Sequence, residues 1–426
     1  MCGFTGYYDP KFEHDEDIIK KMTSVLNNRG PDSFGLYIDR NIGISLGHTR
    51  LSIQDLSDTG SQPMHSANKR FTIVFNGEIY NHLGIRKKIN DNIKNINWKG
   101  TSDTETLLAA IQYFGIEESL KLLNGMFSFA VLDSWHKKLY LCRDRYGEKP
   151  LYYGINNGVF FFGSQPKSFK AHPRWGCDIC KKGLNEYFVR GFISGQFSIY
   201  KDIYKLMPSH YIQIDLNNID LLNYQSYWKR DQLSYEYYNE DFLIDELDKK
   251  IENVIKARTL SDRKIGSFLS GGIDSSLITY YLQQQFSKPI DTFTIGFDDI
   301  SYDESVSARK ISSFLGTNHN EVIFNNDQLL DLVNKLPSIW DEPFSDPSQL
   351  PTFLLSQMTT EKVKVAFSGD GGDELFCGYT RYNEGYNLYK FFNRSPNFLK
   401  ANFKKTLNLL KSDYVINCLA LLPENI

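Results

Sequence analysis

Apolar residues along this chain follow two rhythms, and the change between them falls near the middle. Up to about residue 205 the pattern is short and strand-like. Runs of β-branched and aromatic residues at Phe4–Tyr8, Phe34–Ile38, Ile42–His48, Arg70–Phe75, Phe127–Asp133, Lys138–Cys142, Leu151–Ile155 and Val159–Gly163 are separated by Gly, Asn and Asp turns. Helical spacing enters at Asp15–Leu26 and at Thr104–Phe114, where Leu107, Leu108 and Ile111 share a face. Two strand layers with helices between or outside them predict a sandwich.

From about residue 240 the period lengthens. Leu243, Leu247, Ile251 and Ile255 recur every fourth residue, which predicts an amphipathic helix. Strand Lys264–Leu269, helix Ile273–Phe286, strand Ile290–Phe297, helix Glu304–Leu315, strand Glu321–Phe324, helices near 327–336 and 350–359, and strand Val363–Phe367 then alternate. That alternation predicts a doubly wound parallel α/β sheet. The polar, Tyr-rich segment 206–240 reads as a connector. The expected organisation is a first domain over 1–205, a connector over 206–240 and a second domain over 241–426.

Composition narrows the function classes. A chain of 426 residues exceeds what one core organises, in keeping with two domains. With 23% charged residues and a net charge of −3, electrostatics give no case for nucleic-acid or membrane partners. The six cysteines, at 2, 142, 177, 180, 377 and 418, do not form a disulfide framework, and the lone Cys177–Cys180 pair lacks the second pair of a zinc site. No apolar run approaches the ~20 residues of a membrane span, and none precedes Cys2 as a leader. The expected compartment is the cytoplasm.

Three places carry candidate chemistry. Cys2 follows Met1 directly, and a small second residue permits removal of the initiator Met. The thiol and a free α-amine then share one residue, and an amine titrating near pH ~8 can take the thiol proton. Position alone leaves a buried structural Cys as the alternative. Further along, Ser270-Gly271-Gly272-Ile273-Asp274-Ser275-Ser276 follows a strand and opens a helix, so its N–H groups and hydroxyls can cradle phosphate oxygens. Asp274 fits such a pocket if Mg²⁺ lies between it and the anion. The acidic glycine loop Ser368-Gly369-Asp370-Gly371-Gly372-Asp373-Glu374 follows another strand of the same sheet, and both loops are expected at one crevice.

These residues resemble a known family. The first loop resembles the pyrophosphate loop of ATP pyrophosphatases, which cleave ATP between its α and β phosphates. The whole chain resembles glutamine-hydrolysing asparagine synthetase with an N-terminal class II glutamine amidotransferase domain. Cys2-Gly3, Arg29-Gly30-Pro31-Asp32, Arg50-Leu51-Ser52-Ile53, Asn76-Gly77-Glu78-Ile79-Tyr80-Asn81, Ser102-Asp103-Thr104-Glu105, Gly125-Met126-Phe127 and Arg143–Leu151 carry the match in the first half. The two loops, Thr294-Ile295-Gly296-Phe297 and Asp341-Glu342-Pro343 carry it in the second.

The resemblance implies an αββα sandwich of the N-terminal nucleophile hydrolase type, followed by the α/β synthetase domain. It implies that Cys2 attacks the glutamine amide, with the Asn76 side chain and the Gly77 N–H as oxyanion donors. Arg50 would clamp the glutamine α-carboxylate beside Leu51 and Ile53, and Asp103 with Glu78 would hold its α-ammonium. At the second site, Leu269 and Ile295 would flank the adenosine, residues 270–276 the pyrophosphate, and Ser368 and Gly369 the α-phosphate. Asp274 and Asp373 would hold Mg²⁺, and Asp370 would assist the chemistry. Ammonia needs a dry passage between the sites, because water would protonate it. Substrates would be glutamine, aspartate and ATP, and a homodimer is an assembly the resemblance allows.

Departures from the family pattern stand beside the match. Leu206-Met207-Pro208-Ser209-His210 replaces a Pro-Pro-Gly-His stretch, and a Lys-Val-Asp-Arg stretch of the synthetase domain is absent from residues 380–426. The second domain is therefore expected to be incomplete at its C-terminus, and the chain to hydrolyse glutamine with little amidated product. Two alternatives to asparagine formation stay open. One is another carboxylate acceptor, such as a sugar acid of a surface polysaccharide; the other is a glutaminase with an inactive synthetase half. Among other classes, a nucleotide-binding regulatory protein also stays open.

Overall fold

The computed structural model describes residues 2–11, 15–93, 96–231, 239–298, 303–394 and 396. In the first half the elements run β1 Gly3–Tyr8, α1 Glu16–Ser24, β2 Ser33–Asp39, β3 Ile44–Arg50, β4 Met64–His65, β5 Phe71–Ile79, α2 His82–Asn92 and α3 Asp103–Leu122. They continue through β6 Gly125–Asp133, β7 Lys138–Arg143, β8 Tyr152–Asn156, β9 Val159–Gly163, α4 Lys181–Arg190, β10 Ile203–Lys205, β11 His210–Asp215 and β12 Asn218–Ser226.

These strands form two six-stranded antiparallel sheets, ordered β10-β8-β9-β1-β3-β2 and β12-β11-β7-β6-β5-β4. The aromatic run of β9 shows why they stack. Phe160 and Phe162 face the second sheet and pack with Val74, Leu132 and Leu141, whereas Phe161 points outward onto Ile19 and Met22 of α1. A strand covered on both faces needs no polar alternation, and all five β9 residues are buried. On the far side, Ile73, Phe75 and Phe129 pack under Ile85, Ile89, Leu107 and Ile111 of α2 and α3. Helices thus lie outside both sheets and, among the described residues, none lies between them, giving an αββα sandwich.

Residues 206–226, expected within a connector, join the first domain instead. Tyr211, Ile212, Ile214 and Leu216 are buried, and β11 pairs with β7 in register from Tyr211↔Cys142 to Asp215↔Lys138. The polar partners Gln213 and Asp215 mask the strand in a composition reading. Of the rest of that expected connector, residues 232–238 lie outside the described set. Ser209, in the departing stretch before β11, adopts φ +59° in the turn that enters the strand.

The second half runs α5 Glu240–Arg258, β13 Ile265–Phe268, α6 Ile273–Gln284, β14 Asp291–Phe297, α7 Ser305–Leu315, β15 Asn318–Phe324, α8 Asn326–Val333 and α9 Leu336–Ile339. It ends with α10 Gln349–Thr360, β16 Val365–Phe367, α11 Gly372–Phe376 and α12 Thr380–Arg394. Its four strands are all parallel, ordered β15-β14-β13-β16. The order reverses between β13 and β16, so their following loops diverge and open a crevice there. Of the stretch 380–426, where the Lys-Val-Asp-Arg motif is missing, α12 takes up residues 380–394, and residues 395 and 397–426 lie outside the described set.

Candidate active sites

Cys2 leads into β1, which lies between β3 and β9 at the centre of its sheet. Its Sγ lies 3.7 Å from the Leu51 carbonyl oxygen, and Arg29 Nε donates to the Cys2 carbonyl at 3.0 Å. Burial pushes the thiol above its ordinary pKa, with the Leu51 bond acting in the opposite sense. A thiol held in that state needs a base to become a nucleophile.

Around it, one cleft gathers every residue expected to bind glutamine: Cys2, Arg50, Leu51, Ile53, Asn76, Gly77, Glu78 and Asp103 all line it. Arg50 ends β3 and is 6% exposed, so it is no surface charge. Its Nη1 donates to the Ser57 carbonyl at 2.8 Å and its Nη2 to the Asp55 carbonyl, which fixes the guanidinium plane while leaving further N–H groups for an anion. Gly60 lies against that guanidinium, where a Cβ would collide with it.

Asn76 is the most telling side chain. It is 1% exposed on β5, and neither its Oδ1 nor its Nδ2 has a hydrogen-bond partner. A buried amide left open on both ends costs stability unless a bound molecule satisfies it. Its neighbour Gly77 pairs with Phe127, and a Cβ there would strike the Met126 carbonyl.

Asp103 does not cap the following helix, since Ser102 takes that role by accepting the Glu105 N–H. The Asp103 carboxylate is free to turn inward and accepts the Ile79 N–H at 2.9 Å. Burial raises its pKa to about 6, with the Ile79 and Thr104 bonds opposing. Burial, then repulsion from Asp103, raises Glu78 to about 7, opposed by Lys149. Lys149, which also lines the cleft, carries the sign this pair favours; it sits within the quoted Arg143–Leu151 stretch but was not singled out. The rest of that stretch is scaffold: buried Asp144 accepts the N–H groups of Phe127, Tyr146, Glu148 and Lys149.

In the second domain a cleft of about 880 Å³ opens at the β13/β16 crevice. Leu269, Ser270, Gly272, Asp274, Ser275, Ile295, Ser368, Gly369, Asp370 and Asp373 all line it. Gly271 and Ser276 do not. Gly271 shapes the turn at φ +86°, where a Cβ would press on Ser307, and the Ser276 hydroxyl donates to the Gly272 carbonyl at 2.6 Å. Ser275 Oγ accepts the Ser270 N–H at 3.2 Å, tying the loop to the first turn of α6. The two loops touch: a Cβ on Gly372 would overlap the Asp274 carboxylate, and one on Gly369 would sit 2.9 Å from the Ser275 nitrogen. The sequence reading omitted Leu247 and Ile251 of α5, which form an apolar wall; their four-residue spacing was legible, their destination was not.

The Asp341-Glu342-Pro343 run of the second half docks on the first domain. Glu342 accepts from the Tyr152 hydroxyl at 2.9 Å, the Ile199 N–H at 2.8 Å and the Lys205 ammonium at 2.7 Å. Asp341 accepts from the Gln165 amide at 2.5 Å and the Lys167 N–H at 3.1 Å. Arg29, bonded to the Cys2 carbonyl, also feels the Asp341 charge, which opposes the lowering of its pKa by burial.

Two family profiles match this chain: a glutamine amidotransferase domain over residues 1–228 and asparagine synthase over residues 246–420. A Methanocaldococcus jannaschii protein, provisionally named glutamine-hydrolysing asparagine synthetase 2, is 34% identical over 441 residues, covering 98% of this chain and 84% of its own length. The chain belongs to the glutamine-hydrolysing asparagine synthetase family. Within that family, Bacillus subtilis asparagine synthetase 1 is 32% identical over 94% of this chain, which spans 62% of the Bacillus protein. A Penicillium rubens protein named amidase chyE is 30% identical over 90% of this chain, which spans 60% of that protein. Relatives at this level of similarity thus carry more than one functional name.

Proposed function

We propose that this family member transfers ammonia from glutamine to a carboxylate activated by ATP. The observation that carries the first half is the open Asn76 amide in the cleft that holds the Cys2 thiol. With Met1 removed, the α-amine of Cys2 takes the thiol proton and Sγ attacks the glutamine amide carbon. Asn76 Nδ2 and the Gly77 N–H receive the oxyanion. Collapse of the intermediate expels ammonia and leaves a glutamyl thioester, which water cleaves to glutamate. Arg50 holds the α-carboxylate in a two-pronged contact, and Asp103 with Glu78 holds the α-ammonium.

At the second cleft the acceptor carboxylate attacks the α-phosphorus of ATP, releasing pyrophosphate and forming an acyl-adenylate. Ammonia displaces AMP and gives the amide. Residues 270–276 receive the pyrophosphate, Ser368 and Gly369 the α-phosphate, Leu269 and Ile295 the adenosine, and Asp370 assists proton movement. Mg²⁺ binds through one or two carboxylates plus substrate phosphates. Asp274 and Asp373, hard oxygen donors on the two abutting loops, would hold it. Bound there, it would neutralise phosphate charge.

Aspartate is the acceptor we favour, on the names of the synthetase relatives; the amidase-named relative supports trying other carboxylates. The test supplies glutamine, ATP and one carboxylate at a time, and measures glutamate and pyrophosphate together. Pyrophosphate release that depends on aspartate supports the reading. Release with a different acid reassigns the acceptor, and glutamate without pyrophosphate for any acid reduces the activity to a glutaminase.

A further inference from the structure

We infer that Asp262 and Arg263, which belong to the second domain, are positioning residues for glutamine in the first. The inference rests on the reading of the Cys2 cleft as a glutamine site. The segment between Arg50 and Ser57 forms one wall of that cleft: Leu51 presents its carbonyl to the Cys2 thiol, Ile53 and Gln54 line the space, and Asp55 presents its carbonyl to Arg50. Within the first domain, Asp32 accepts the Ser52 N–H, and the Asp55 carboxylate accepts from Ser57, Thr59 and the Thr101 N–H. The turn between α5 and β13 adds a second set of bonds.

Each residue from Ser52 to Asp55 bonds to that turn. Arg263 Nε donates to the Ser52 carbonyl at 3.0 Å, and the Asp262 N–H donates to the Ile53 carbonyl at 2.9 Å. Gln54 Nε2 donates to the Leu260 carbonyl at 3.3 Å, and Asp262 Oδ2 accepts the Asp55 N–H at 2.8 Å. Arg263 Nη2 also lies 3.7 Å from Asp32 Oδ2, which itself accepts the Ser52 N–H at 2.9 Å. Asp55 adopts φ +57°, a left-handed conformation that Asp tolerates and that its own bonds to Ser57, Thr59 and Thr101 support. The Asp262 carboxylate adds a bond at the N–H of this residue, whose carbonyl orients Arg50. None of these second-domain groups lines the cleft, so they act on glutamine only through the loop.

The test is steady-state glutamine hydrolysis by the full chain and its Asp262→Ala, Asp262→Asn and Arg263→Ala variants. Asp262 is exposed at the surface of its turn, so its replacement leaves the fold intact. KM for glutamine is expected to rise about threefold to tenfold in Asp262→Ala and Arg263→Ala, the size of one or two ordinary hydrogen bonds, with kcat close to that of the parent. Asp262→Asn retains an acceptor oxygen and is expected to restore the parental KM. Unchanged KM in both truncations overturns the inference, as does a loss confined to kcat. Impairment of Asp262→Asn equal to that of Asp262→Ala also overturns it, since the effect would then not run through the acceptor oxygen. Calorimetric binding of glutamine in a Cys2→Ala background separates the two readings. If the parent releases no glutamate yet binding still weakens with Asp262→Ala, the nucleophile assignment falls and the positioning role stands. No glutamine binding in either background sinks both.

Discussion

Asp103 Oδ2 is pinned to the backbone nitrogen of Ile79, the residue that follows Glu78. One hydrogen bond therefore holds two carboxylates on the same wall of the glutamine cleft, with pKa values raised to about 6 and about 7. If the pair receives the glutamine ammonium, protonating it removes the attraction. KM for glutamine should rise as pH falls through 7 and then 6, by about tenfold or more overall, since an opposite charge at contact distance is worth several kcal/mol before desolvation is subtracted. Glu78→Gln should remove the upper limb of that profile. A KM flat from pH 8 to 5.5 would detach the pair from the ammonium.

The same shifts set a stability effect of opposite direction. Both carboxyls have folded pKa values above their unfolded ones, so the folded state binds more protons between about pH 4 and 7. Their contribution stabilises the substrate-free protein at low pH and is lost as pH rises through the folded values. Asp103→Asn keeps an acceptor for Ile79 without the charge. It should melt higher than the parent at pH 8 while binding glutamine poorly, and thermal denaturation at pH 8 and pH 5 measures the difference.

Cys2→Ala should abolish glutamate release while leaving Mg²⁺·ATP binding by the second domain intact. Retained Met1 should have the same effect, because the thiol loses its amine base. Mass spectrometry of the purified N-terminus, set against specific activity, checks this directly. Glutamate release from the Ala variant would remove Cys2 from the mechanism.

Asn76→Ala should lower kcat for glutamine hydrolysis by about 10²–10³, the usual cost of losing one oxyanion donor, with a smaller change in KM. Because the native amide has no partner in the free protein, the variant should fold at least as stably as the parent. A fall in stability with unchanged kcat would make Asn76 a structural residue.

Asp274→Ala should weaken Mg²⁺·ATP binding about tenfold or more, equivalent to ~1.4 kcal/mol, without touching glutaminase activity. Gly372→Ala should act at the same place by a different route, since its added carbon meets the Asp274 carboxylate. Titration calorimetry with Mg²⁺·ATP reads both, and unchanged affinity in both would take Asp274 out of the metal site.

The expected strands Ile42–His48 and Arg70–Phe75 are real, but β3 runs on to Arg50 and β5 to Ile79. The residues beyond the expected ends, Arg50, Asn76, Gly77 and Glu78, are those that line the cleft. Polar side chains at a site interrupt the apolar pattern that marks a strand, so pattern reading ends where chemistry begins. The four-residue period of α5 was legible for the converse reason: Ile251 and Ile255 face an ordinary core. Helix α2 escaped notice because its core-facing Ile85 and Ile89 stand among charged neighbours. The placement of Asp341 and Glu342 against the first domain is illegible in the sequence, since periodicity carries no information about pairs 137 to 190 residues apart.

The docking of Glu342 on Tyr152, Ile199 and Lys205 bears on how such chains can be recombined. The two halves look like exchangeable modules when only their motifs are compared. A chimaera joining this synthetase half to an amidotransferase half without counterparts of Tyr152 and Lys205 would leave the Glu342 carboxylate facing foreign ground. With no ammonium or hydroxyl to receive it, that buried charge would hold the halves apart or force water into the seam. Crossovers that carry Tyr152, Gln165 and Lys205 together with residues 341 and 342 should assemble, and those that replace these partners with apolar residues should not.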